Sequence, residues 1–261
     1  MVTLLDRAGD RQISEAEWKV RRNLAAFYRL AAIHGWDDLI YTHVSARVPG
    51  PDQHFLINPF GLMFEEVTAS SLVKVDLDGK IIGESAYGIN YAGYVIHSAI
   101  HAAREDAHFI AHFHSADGVA VSAQAGGLLA LNQRALCVIP YLSYHDYEGV
   151  ALSLDEQSRI IADLGDSNMM LLRNHGTLAL GRTPGEAWSR IYELETACTV
   201  QVRTLSAGRS NVLLTPENAN VAVRRQLSQN SLIAGSELSH DSLVWEACLR
   251  KAGRHSPGFD N

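Results

Sequence analysis

Cysteine is scarce in this chain, and its three cysteines are too few and too far apart for a disulfide framework. Cys137, Cys198 and Cys248 are odd in number, and none belongs to a CxxC pair. They are interpreted as small apolar residues of a protein from a reducing compartment. The sequence therefore predicts a fold that a hydrophobic core holds together, not disulfide bonds.

Long apolar runs and concentrated positive charge are also missing. No stretch approaches the roughly 18 apolar residues of a membrane-spanning helix, and residues 1–22 lack the apolar segment of a signal peptide. The formal net charge is −7 and the basic clusters are short, whereas phosphate binding requires clustered Lys and Arg. We therefore expect a cytoplasmic protein with no membrane partner and no nucleic-acid partner.

What the chain does contain is a regular alternation of strand-like and helix-like segments. Its 261 residues, of which 47% are apolar, suffice for one large domain or two small ones. Interleaved strands and helices indicate the α/β or α+β class. We predict one main domain over residues 1–207. A C-terminal helical extension over residues 208–261 is expected to pack on the same domain or on a neighbouring subunit.

Capping residues mark the start of two helices. Ser14 and Glu17 have the spacing of a capping box, and they predict a helix that Gly35 ends. Thr183-Pro184 predicts the start of a long helix, because proline is favoured at the first helical position. The first of these helices carries apolar residues at helical spacing, Leu24, Phe27, Leu30 and Ala31, so it is expected to face the core.

A turn signal, an apolar run and a capping serine predict the structure of three further segments. Asp78-Gly79 predicts a hairpin turn between two strands. The apolar segment "ALCVIPYL", residues 135–142, is interpreted as a strand. The following segment "SLDEQSRIIADLG" predicts a helix with Ser153 at its N-cap.

Two histidines occupy alternate positions of the apolar segment "HFIAHFHSADG", which begins at residue 108. In a strand, His112 and His114 point to one face, roughly 6–7 Å apart along the chain, and Phe113 points to the other. Imidazole nitrogens are ligands for Zn²⁺, Fe²⁺ and similar ions, but two ligands do not make a site. His175, between an apolar strand and Gly176 in "LLRNHGTLALG", is the candidate for the third ligand.

Other histidines and one polar loop have competing interpretations. His97 and His101 are four residues apart on a predicted helix and could bind a metal. The glutamate of an HExxH motif is absent, which favours structural hydrogen bonds for this pair. His43 is expected near a cleft, and spacing identifies no partner for it. The loop "YHDYEG", with His145 and Glu148, is either a hydrogen-bonded loop or a source of general acid and base groups.

Taken in order, these segments resemble the class II aldolase/adducin family. The resemblance covers about residues 15–207, and it is carried by "INPFGLMFEEVTASSLVKVDLDGK", "NYAGYVIHSAIHAARED", "IAHFHSADGVAVSAQAGGLL", "YHDYEG", "LLRNHGTLALGRTPGEAW" and "ACTVQVRTL". Of these, "YHDYEG" and "LLRNHG" look more like the adducin branch and its bacterial relatives than like the sugar-phosphate aldolases. The resemblance implies an αβα sandwich with a central, mainly antiparallel sheet, assembled as a homotetramer.

The resemblance also implies a divalent metal held by His112, His114 and His175. Zn²⁺ is the first expectation, with Fe²⁺ and Mn²⁺ as alternatives. The aldolases of the family carry an acidic base nineteen residues before the first of these histidines, and here that position is Gly93. The base of the aldolases is therefore missing from this chain.

The phosphate site of the aldolases is also altered. Bulky Phe60 and Tyr91 stand where those enzymes have small residues that bind phosphate, so we expect a substrate without phosphate. An aromatic-lined pocket suits a less charged or aromatic ligand. His145 and Glu148 are the candidates for a new catalytic base.

Three functions are compatible with this resemblance. We predict a metal-dependent lyase, of the aldolase or decarboxylase type, acting on a small non-phosphorylated carbonyl compound or 2-oxo acid through an enolate that the ion stabilises. The alternatives are a non-haem iron oxygenase on an aromatic 2-oxo acid and a non-catalytic adducin-like interaction module. The module is disfavoured because the chain lacks the long basic tail of adducins and retains three metal ligands.

Overall fold

A seven-stranded sheet lies at the centre of the protein, whose computed structural model describes residues 13–228 and 239–261. The strands are β1 (His43–Arg47), β2 (Phe55–Ile57), β3 (Val73–Val75), β4 (Phe109–Phe113), β5 (Leu142–His145), β6 (Met169–Leu172) and β7 (Gly176–Gly181). Their order across the sheet is β3-β2-β1-β4-β7-β6-β5. All neighbouring pairs are antiparallel except β5 and β6, so the predicted mainly antiparallel sheet is confirmed.

Helices cover both faces of this sheet, as expected of an αβα sandwich. In the described residues they are α1 (Glu15–His34), α2 (Tyr91–Ala103), α3 (Ala116–Ser122), α4 (Gln133–Val138), α5 (Glu156–Leu164), α6 (Pro184–Leu205), α7 (Glu217–Ser228) and α8 (His240–His255). Helices α1, α3, α4, α6 and α8 contribute to the larger hydrophobic cluster, while α2 and α5 pack on the opposite face of the sheet.

The central strand β4 separates these two layers. Phe109 and Phe113 face the larger cluster with α1 and α6, whereas Ile110 faces the cluster with α2 and α5. Because side chains alternate along a strand, His112 belongs to the same face as Ile110. The sheet therefore presents this histidine on the α2 side, away from the aromatic core.

The N-terminal helix begins and ends where the sequence predicts. Ser14 Oγ accepts a hydrogen bond from the Glu17 amide at 3.1 Å, and Gly35 ends α1 in the left-handed conformation with a φ of 68°. The Glu17 carboxylate binds Arg21 and Lys74, at 2.9 Å each. The N-cap is therefore confirmed, while the Glu17 side chain takes part in a buried ion pair.

The predicted hairpin and the start of α6 are also confirmed. Gly79 has a φ of 81°, and Val75 forms a bridge with Ile81 across the turn. Thr183 Oγ1 accepts a hydrogen bond from the Glu186 amide at 3.1 Å, which caps α6. The Thr183 side chain thus stabilises the start of α6 by accepting a backbone hydrogen bond, which is the reason that short polar residues are common at helix N-caps.

The prediction of a strand over residues 135–142 is wrong. Helix α4 occupies most of the segment, a 3₁₀ turn follows over Ile139–Tyr141, and β5 begins only at Leu142. The Asn132 side chain accepts a hydrogen bond from the Ala135 amide at 3.1 Å and so starts the helix. A short apolar run has no period that distinguishes a buried strand from a buried helix.

The predicted N-cap of α5 is displaced. Ser153 Oγ accepts a hydrogen bond from the Asp155 amide at 3.3 Å, so it stabilises a turn that precedes the helix. Helix α5 itself begins at Glu156, after Asp155. The helix predicted here exists, and its start lies two residues later than the serine indicated.

The end of the chain packs on the main body of the protein. Helix α8 lies against α1 and α6, and Trp245 is buried there with its Nε1 donating to Asn23 at 3.0 Å. The Phe259 carbonyl accepts a hydrogen bond from the Ala69 amide at 2.8 Å. This part of the C-terminal extension therefore contributes to the same core as α1.

Two expectations from composition concern the whole chain. All three cysteines are free. In the described ranges, none of the helices is both long and apolar enough to cross a membrane. Residues 1–12, which belong to the segment without a signal-peptide pattern, lie outside the described residues.

Candidate metal centre

Strand β4 and the residue after it supply the first two histidines of the predicted site. His112 pairs with His43 of β1 on one side and with Leu178 of β7 on the other. His114 follows directly after Phe113, the last residue of β4. The Nε2 atoms of His112 and His114 lie 3.0 Å apart, so these two imidazoles converge on one face of the sheet.

The hydrogen bonds of these histidines assign their protons. His112 Nδ1 lies 2.9 Å from the Thr177 carbonyl oxygen, and His114 Nδ1 lies 3.0 Å from Asp38 Oδ2. Both oxygens are acceptors, so each Nδ1 carries the proton and each Nε2 carries a lone pair in the neutral ring. Two lone pairs 3.0 Å apart cannot hydrogen-bond to one another, whereas a shared cation would bind both.

His175 reaches the same place from the hairpin between β6 and β7. Asn174 adopts the left-handed conformation with a φ of 57°, and the His175 amide donates to the Leu172 carbonyl at 3.1 Å. Gly176 then lets β7 approach β4, because a Cβ there would lie only 2.2 Å from the Phe113 carbonyl oxygen. The His175 ring lies 4.7 and 4.8 Å, between centroids, from the two rings of the β4 histidines.

The three histidines together fit a divalent transition metal. One nitrogen from each ring lies within 4.8 Å of the others. Tetrahedral zinc with Zn–N bonds of 2.0–2.1 Å places its nitrogens roughly 3.3 Å apart. The 3.0 Å pair of His112 and His114 would separate slightly to reach that spacing, and the His175 ring would move toward the pair. Burial lowers the pKa of His175 to about 4 and that of His112 well below its usual value. Both rings are therefore neutral near pH 7, the form that binds metals.

Position 93, where the resemblance implies an acid in the aldolases, has no room for a side chain in this protein. A Cβ on Gly93 would lie 2.5 Å from Cδ2 and 2.9 Å from Nε2 of His43. The His43 ring therefore fills the space beside α2 that a side chain at position 93 would need. This ring also lies against His112, with 5.0 Å between the centroids.

His43 is the first member of a buried hydrogen-bonded relay. Its Nδ1 lies 2.9 Å from His97 Nε2, and His97 Nδ1 lies 2.5 Å from Ser45 Oγ. Ser45 Oγ also lies 2.8 Å from His101 Nε2, and His101 Nδ1 lies 2.8 Å from the Ala107 carbonyl oxygen. We refer to these five groups as the β1–α2 relay. The relay agrees with the structural interpretation of His97 and His101.

Burial keeps the histidines of this relay neutral. It lowers the pKa of His43 and of His97 well below the usual value, and the pKa of His101 to about 3. All three side chains are almost fully inaccessible to water. Neutral imidazoles have one donor and one acceptor nitrogen each, so the relay has a definite direction.

Sequence reasoning placed His43 near a cleft without a partner, and it missed Ser45, Asp38 and the Thr177 carbonyl. His43 and Ser45 repeat, on β1, the alternate spacing that singled out His112 and His114, and this spacing could have paired them with α2. Asp38 and the Thr177 carbonyl orient the β4 histidines without any motif of their own. Ligand-orienting groups often come from distant sequence positions, which only the fold brings together.

His145, a predicted catalytic residue, lies at the end of β5. It is buried, and its Nδ1 lies 2.7 Å from Asp163 Oδ2 while its Nε2 lies 3.4 Å from Glu156 Oε1. Two carboxylates therefore face this ring, one at each nitrogen.

Glu148, the other predicted catalytic residue, forms a surface ion pair. Its two carboxylate oxygens accept hydrogen bonds from Arg159, at 2.6 Å from Nε and 2.5 Å from Nη2. The Arg159 guanidinium holds the pKa of this carboxyl below its usual value. The carboxylate is thus ionised and already has a partner, and none of its hydrogen bonds reaches the cluster.

Exposed aromatic side chains lie in the segments next to His43 and Gly93. Asn90 Nδ2 donates to the Tyr41 carbonyl at 2.9 Å, and the Phe60 amide donates to the Gly88 carbonyl at 2.9 Å, so three segments are joined here. None of these segments, residues 38–43, 58–63 and 84–94, contains lysine or arginine. Their exposed aromatic residues are Tyr41, Phe60, Tyr87 and Tyr91.

Comparison with known proteins gives a consistent family relationship. The family model described as "Class II Aldolase and Adducin N-terminal domain" matches residues 22–202. A protein of Caulobacter vibrioides, whose name assigns it provisionally to the class 2 aldolases, is 57% identical over 95% of this chain and 94% of its own length. A crystal structure of an aldolase II superfamily protein from Pseudomonas syringae has a TM-score of 0.88 and 47% identity, covering 95% of this chain and 98% of that one.

Adducins are similar to the same part of the chain. Alpha-adducin of Rattus norvegicus is 47% identical over 77% of this chain, and the match spans 28% of the adducin. The aligned region therefore leaves most of the adducin sequence without a counterpart in this chain.

Proposed function

The chain belongs to the class II aldolase and adducin family, and we propose that it is a metal-dependent lyase acting on a small, non-phosphorylated carbonyl compound or 2-oxo acid. Family members generally use a divalent metal. Zn²⁺ is the ion that we propose first, with Fe²⁺ and Mn²⁺ as alternatives. We propose a homotetramer as the assembled form.

One observation carries this proposal, namely the pair of unprotonated Nε2 atoms 3.0 Å apart beside His175. His112, His114 and His175 would hold the ion, and the Thr177 carbonyl and Asp38 orient two of the rings. A divalent ion there would supply a Lewis acid for a carbonyl or enolate oxygen. Three protein ligands leave an open position, as catalytic zinc sites require.

The substrate class is proposed from the surroundings of the cluster. Cationic side chains favour the binding of a phosphate group, and the three segments next to His43 and Gly93 have no lysine or arginine. Their exposed aromatic residues offer apolar contacts to a small organic molecule. These features support a substrate without phosphate.

His145 and Glu148 remain the proposed catalytic bases. The orientation of the His145 ring by Asp163 supports His145 over Glu148, although His145 Nε2 would have to turn away from Glu156 to act as the base. Glu148 would first have to leave Arg159. Replacement of His145 by glutamine should therefore lower kcat by at least about a hundredfold, and Glu148→Gln should have a smaller effect.

Metal content tests the ligand assignment directly. We expect the purified protein to bind about one divalent ion per chain and the His114→Ala variant to bind less than a tenth as much, measured by inductively coupled plasma mass spectrometry. His108→Ala is the matched control, since His108 is exposed and precedes β4. Equal metal content in His114→Ala and the control would contradict the site.

Hydrogen exchange on the substrate tests the lyase chemistry. A lyase that forms an enolate should exchange the C3 hydrogens of pyruvate or 2-oxobutyrate with D₂O, and proton NMR follows their loss. The exchange should require the metal and vanish in His114→Ala. Iron in the purified protein together with oxygen uptake on phenylpyruvate, and no exchange, would instead identify the oxygenase.

A non-catalytic module is the second candidate, and the 47% identity to alpha-adducin over 77% of this chain favours it. A module has no need of an open metal position. Absence of bound metal, together with equal thermal stability of wild type and His114→Ala, would support the module and exclude the lyase.

A further inference from the structure

The β1–α2 relay ends at a group that can only accept a hydrogen bond. The Ala107 carbonyl oxygen lies 2.8 Å from His101 Nδ1, so this nitrogen must carry the proton. The neutral His101 ring then has a lone pair on Nε2. Ser45 Oγ, 2.8 Å away, must donate its only hydrogen to that nitrogen.

The remaining protons follow from this first assignment. The Ser45 hydroxyl already donates its hydrogen to His101, so its oxygen accepts a hydrogen bond from His97 Nδ1–H. His97 Nε2 is then an acceptor, and it receives the Nδ1–H of His43 at 2.9 Å. The neutral His43 ring is left with a lone pair on Nε2. One backbone carbonyl thus determines the tautomers of three imidazoles.

His43 Nε2 has no hydrogen-bond partner among the residues that the structure describes. His43 is only 2% exposed, so little water reaches its ring. The Nε2 atom lies on the edge of the ring that faces Gly93, and the ring lies beside His112, with 5.0 Å between the centroids. A lone pair to which the protein donates no hydrogen bond can accept one from a molecule bound at the histidine cluster.

Resting on the proposed function, we infer that His43 contacts the substrate and that its unprotonated Nε2 accepts a hydrogen bond from a substrate hydroxyl group. The substrate class is then a hydroxylated carbonyl compound or a hydroxylated 2-oxo acid, with one oxygen for the histidine cluster and a hydroxyl donor for His43. Ser45, His97 and His101 are positioning residues that act through the tautomer of His43.

The tautomers can be read without any ligand or activity. In metal-free protein labelled with ¹⁵N-histidine, two-bond ¹H–¹⁵N spectra should show His43, His97 and His101 as Nδ1–H tautomers. Ser45→Ala interrupts the relay and should give mixed tautomers at His43 and His97. Ser122→Ala, a fully buried serine outside the relay, should leave them unchanged. An Nε2–H tautomer at His43 in the wild type would overturn the inference.

Ligand binding tests the acceptor itself, with Co²⁺ bound to the protein and its visible spectrum as the readout. Glycolate and methoxyacetate share a carboxylate and an adjacent oxygen, but only glycolate has a hydroxyl donor. His43→Asn can keep the bond to His97 while it removes the Nε2 acceptor. The ratio of the affinity for glycolate to the affinity for methoxyacetate should be about tenfold higher in the wild type than in His43→Asn.

The outcomes separate this inference from the proposed function. Failure of wild-type protein to bind Co²⁺ would contradict both. Normal Co²⁺ binding with the same glycolate preference in wild type and His43→Asn would overturn only the role of His43. Should His43→Asn fail to fold, Ser45→Ala replaces it, and a glycolate preference equal to that of Ser122→Ala would overturn the inference.

Discussion

At the scale of single residues, the contact between Gly93 and His43 leaves no room for a side chain at position 93. We predict that Gly93→Ala destabilises the protein by about 1–3 kcal/mol, because its Cβ would lie 2.5 Å from the buried His43 ring. Urea unfolding followed by circular dichroism measures the change.

The control for this substitution is Gly88→Ala. A Cβ on Gly88 meets nothing within 4 Å, so its effect should stay within about 0.5 kcal/mol. The double variant His43→Ala/Gly93→Ala should be less destabilised than the sum of its single changes, since the clash is then gone. Strict additivity would show that the two positions do not interact.

Glu195 is a buried acid whose ionisation should weaken the fold. Burial raises its pKa to about 7, against 4.5 for a free glutamate, while Ser115 and Thr177 donate to its carboxylate oxygens. The folded state thus holds this proton more tightly than the unfolded state does. Stability from this group is complete below about pH 4.5, and it is lost as the pH rises through about 7.

Replacement of Glu195 by glutamine should remove this dependence. Between pH 5 and pH 8, the free energy of unfolding of Glu195→Gln relative to wild type should increase by about 2–3 kcal/mol. Urea titrations at the two pH values measure it. For the control Glu246→Gln, at an exposed position, the difference in unfolding free energy from wild type should be the same at pH 5 and pH 8. An equally constant difference for Glu195→Gln would contradict the raised pKa.

Spacing alone could identify only the site residues that recur at a regular interval along the sequence. His112 and His114 share a strand face because they are two residues apart, and His175 stands before a glycine turn, so the sequence predicts their convergence. Asp38 is 76 residues from His114, and a carbonyl such as that of Thr177 has no sequence signal. Such partners depend on the sheet order.

At the scale of elements, the pairing of β4 with β7 brings the ligands together. Gly176→Ala should destabilise the protein by about 3 kcal/mol, because its Cβ would collide with the Phe113 carbonyl. The same displacement should weaken metal binding at least about tenfold, as loss of ligand support usually does. Denaturant titration and competition with a zinc chelator measure the two effects.

A glycine with free space provides the comparison for Gly176. Gly253 lies within α8 and a Cβ there meets nothing within 4 Å, so Gly253→Ala should stabilise the protein by about 0.5–1 kcal/mol. Its metal affinity should equal that of the wild type. Unchanged metal affinity in Gly176→Ala would show that the β4–β7 contact does not set the site.

Element boundaries were predictable where a side chain hydrogen-bonds the backbone locally. Ser14 and Thr183 cap their helices as the sequence indicates. The run at 135–142 has no such periodic signal, and its helix depends on Asn132 and on packing against α6. Tertiary contacts therefore determine the secondary structure of this segment, which its local sequence pattern does not specify.

At the scale of the whole molecule, exposed apolar residues follow β5. In the 147–154 loop, Val150 is 70% exposed and Leu154 is 52% exposed, with Tyr147 and Leu152 also exposed. We predict that copies of the chain cover this loop in a homotetramer. Val150→Glu/Leu154→Glu should reduce the molar mass measured by sedimentation velocity.

The control for assembly is Leu213→Glu. Leu213 is 90% exposed and lies in a different segment, so the variant should keep the wild-type mass. A wild type that sediments as a monomer, or a loop variant that remains a tetramer, would contradict this interface.

The class of the fold followed from interleaved segments, but the strand order did not. β1 and β4 are neighbours although α2 and two strands lie between them in sequence, and β5 pairs in parallel with β6 at the edge. Long-range pairing of this kind has no local signature, and the resemblance to a family implied a mainly antiparallel sheet without its strand order.

The register of β4 against β7 has a practical consequence. Because side chains alternate along a strand, a slip of one residue would turn His112 into the aromatic layer where Phe113 now packs. A misfolded preparation could keep much of its helix content and still lose the histidine cluster. The stoichiometry of cobalt uptake would therefore serve as a quality assay for refolded material, counting the molecules whose sheet is correctly aligned.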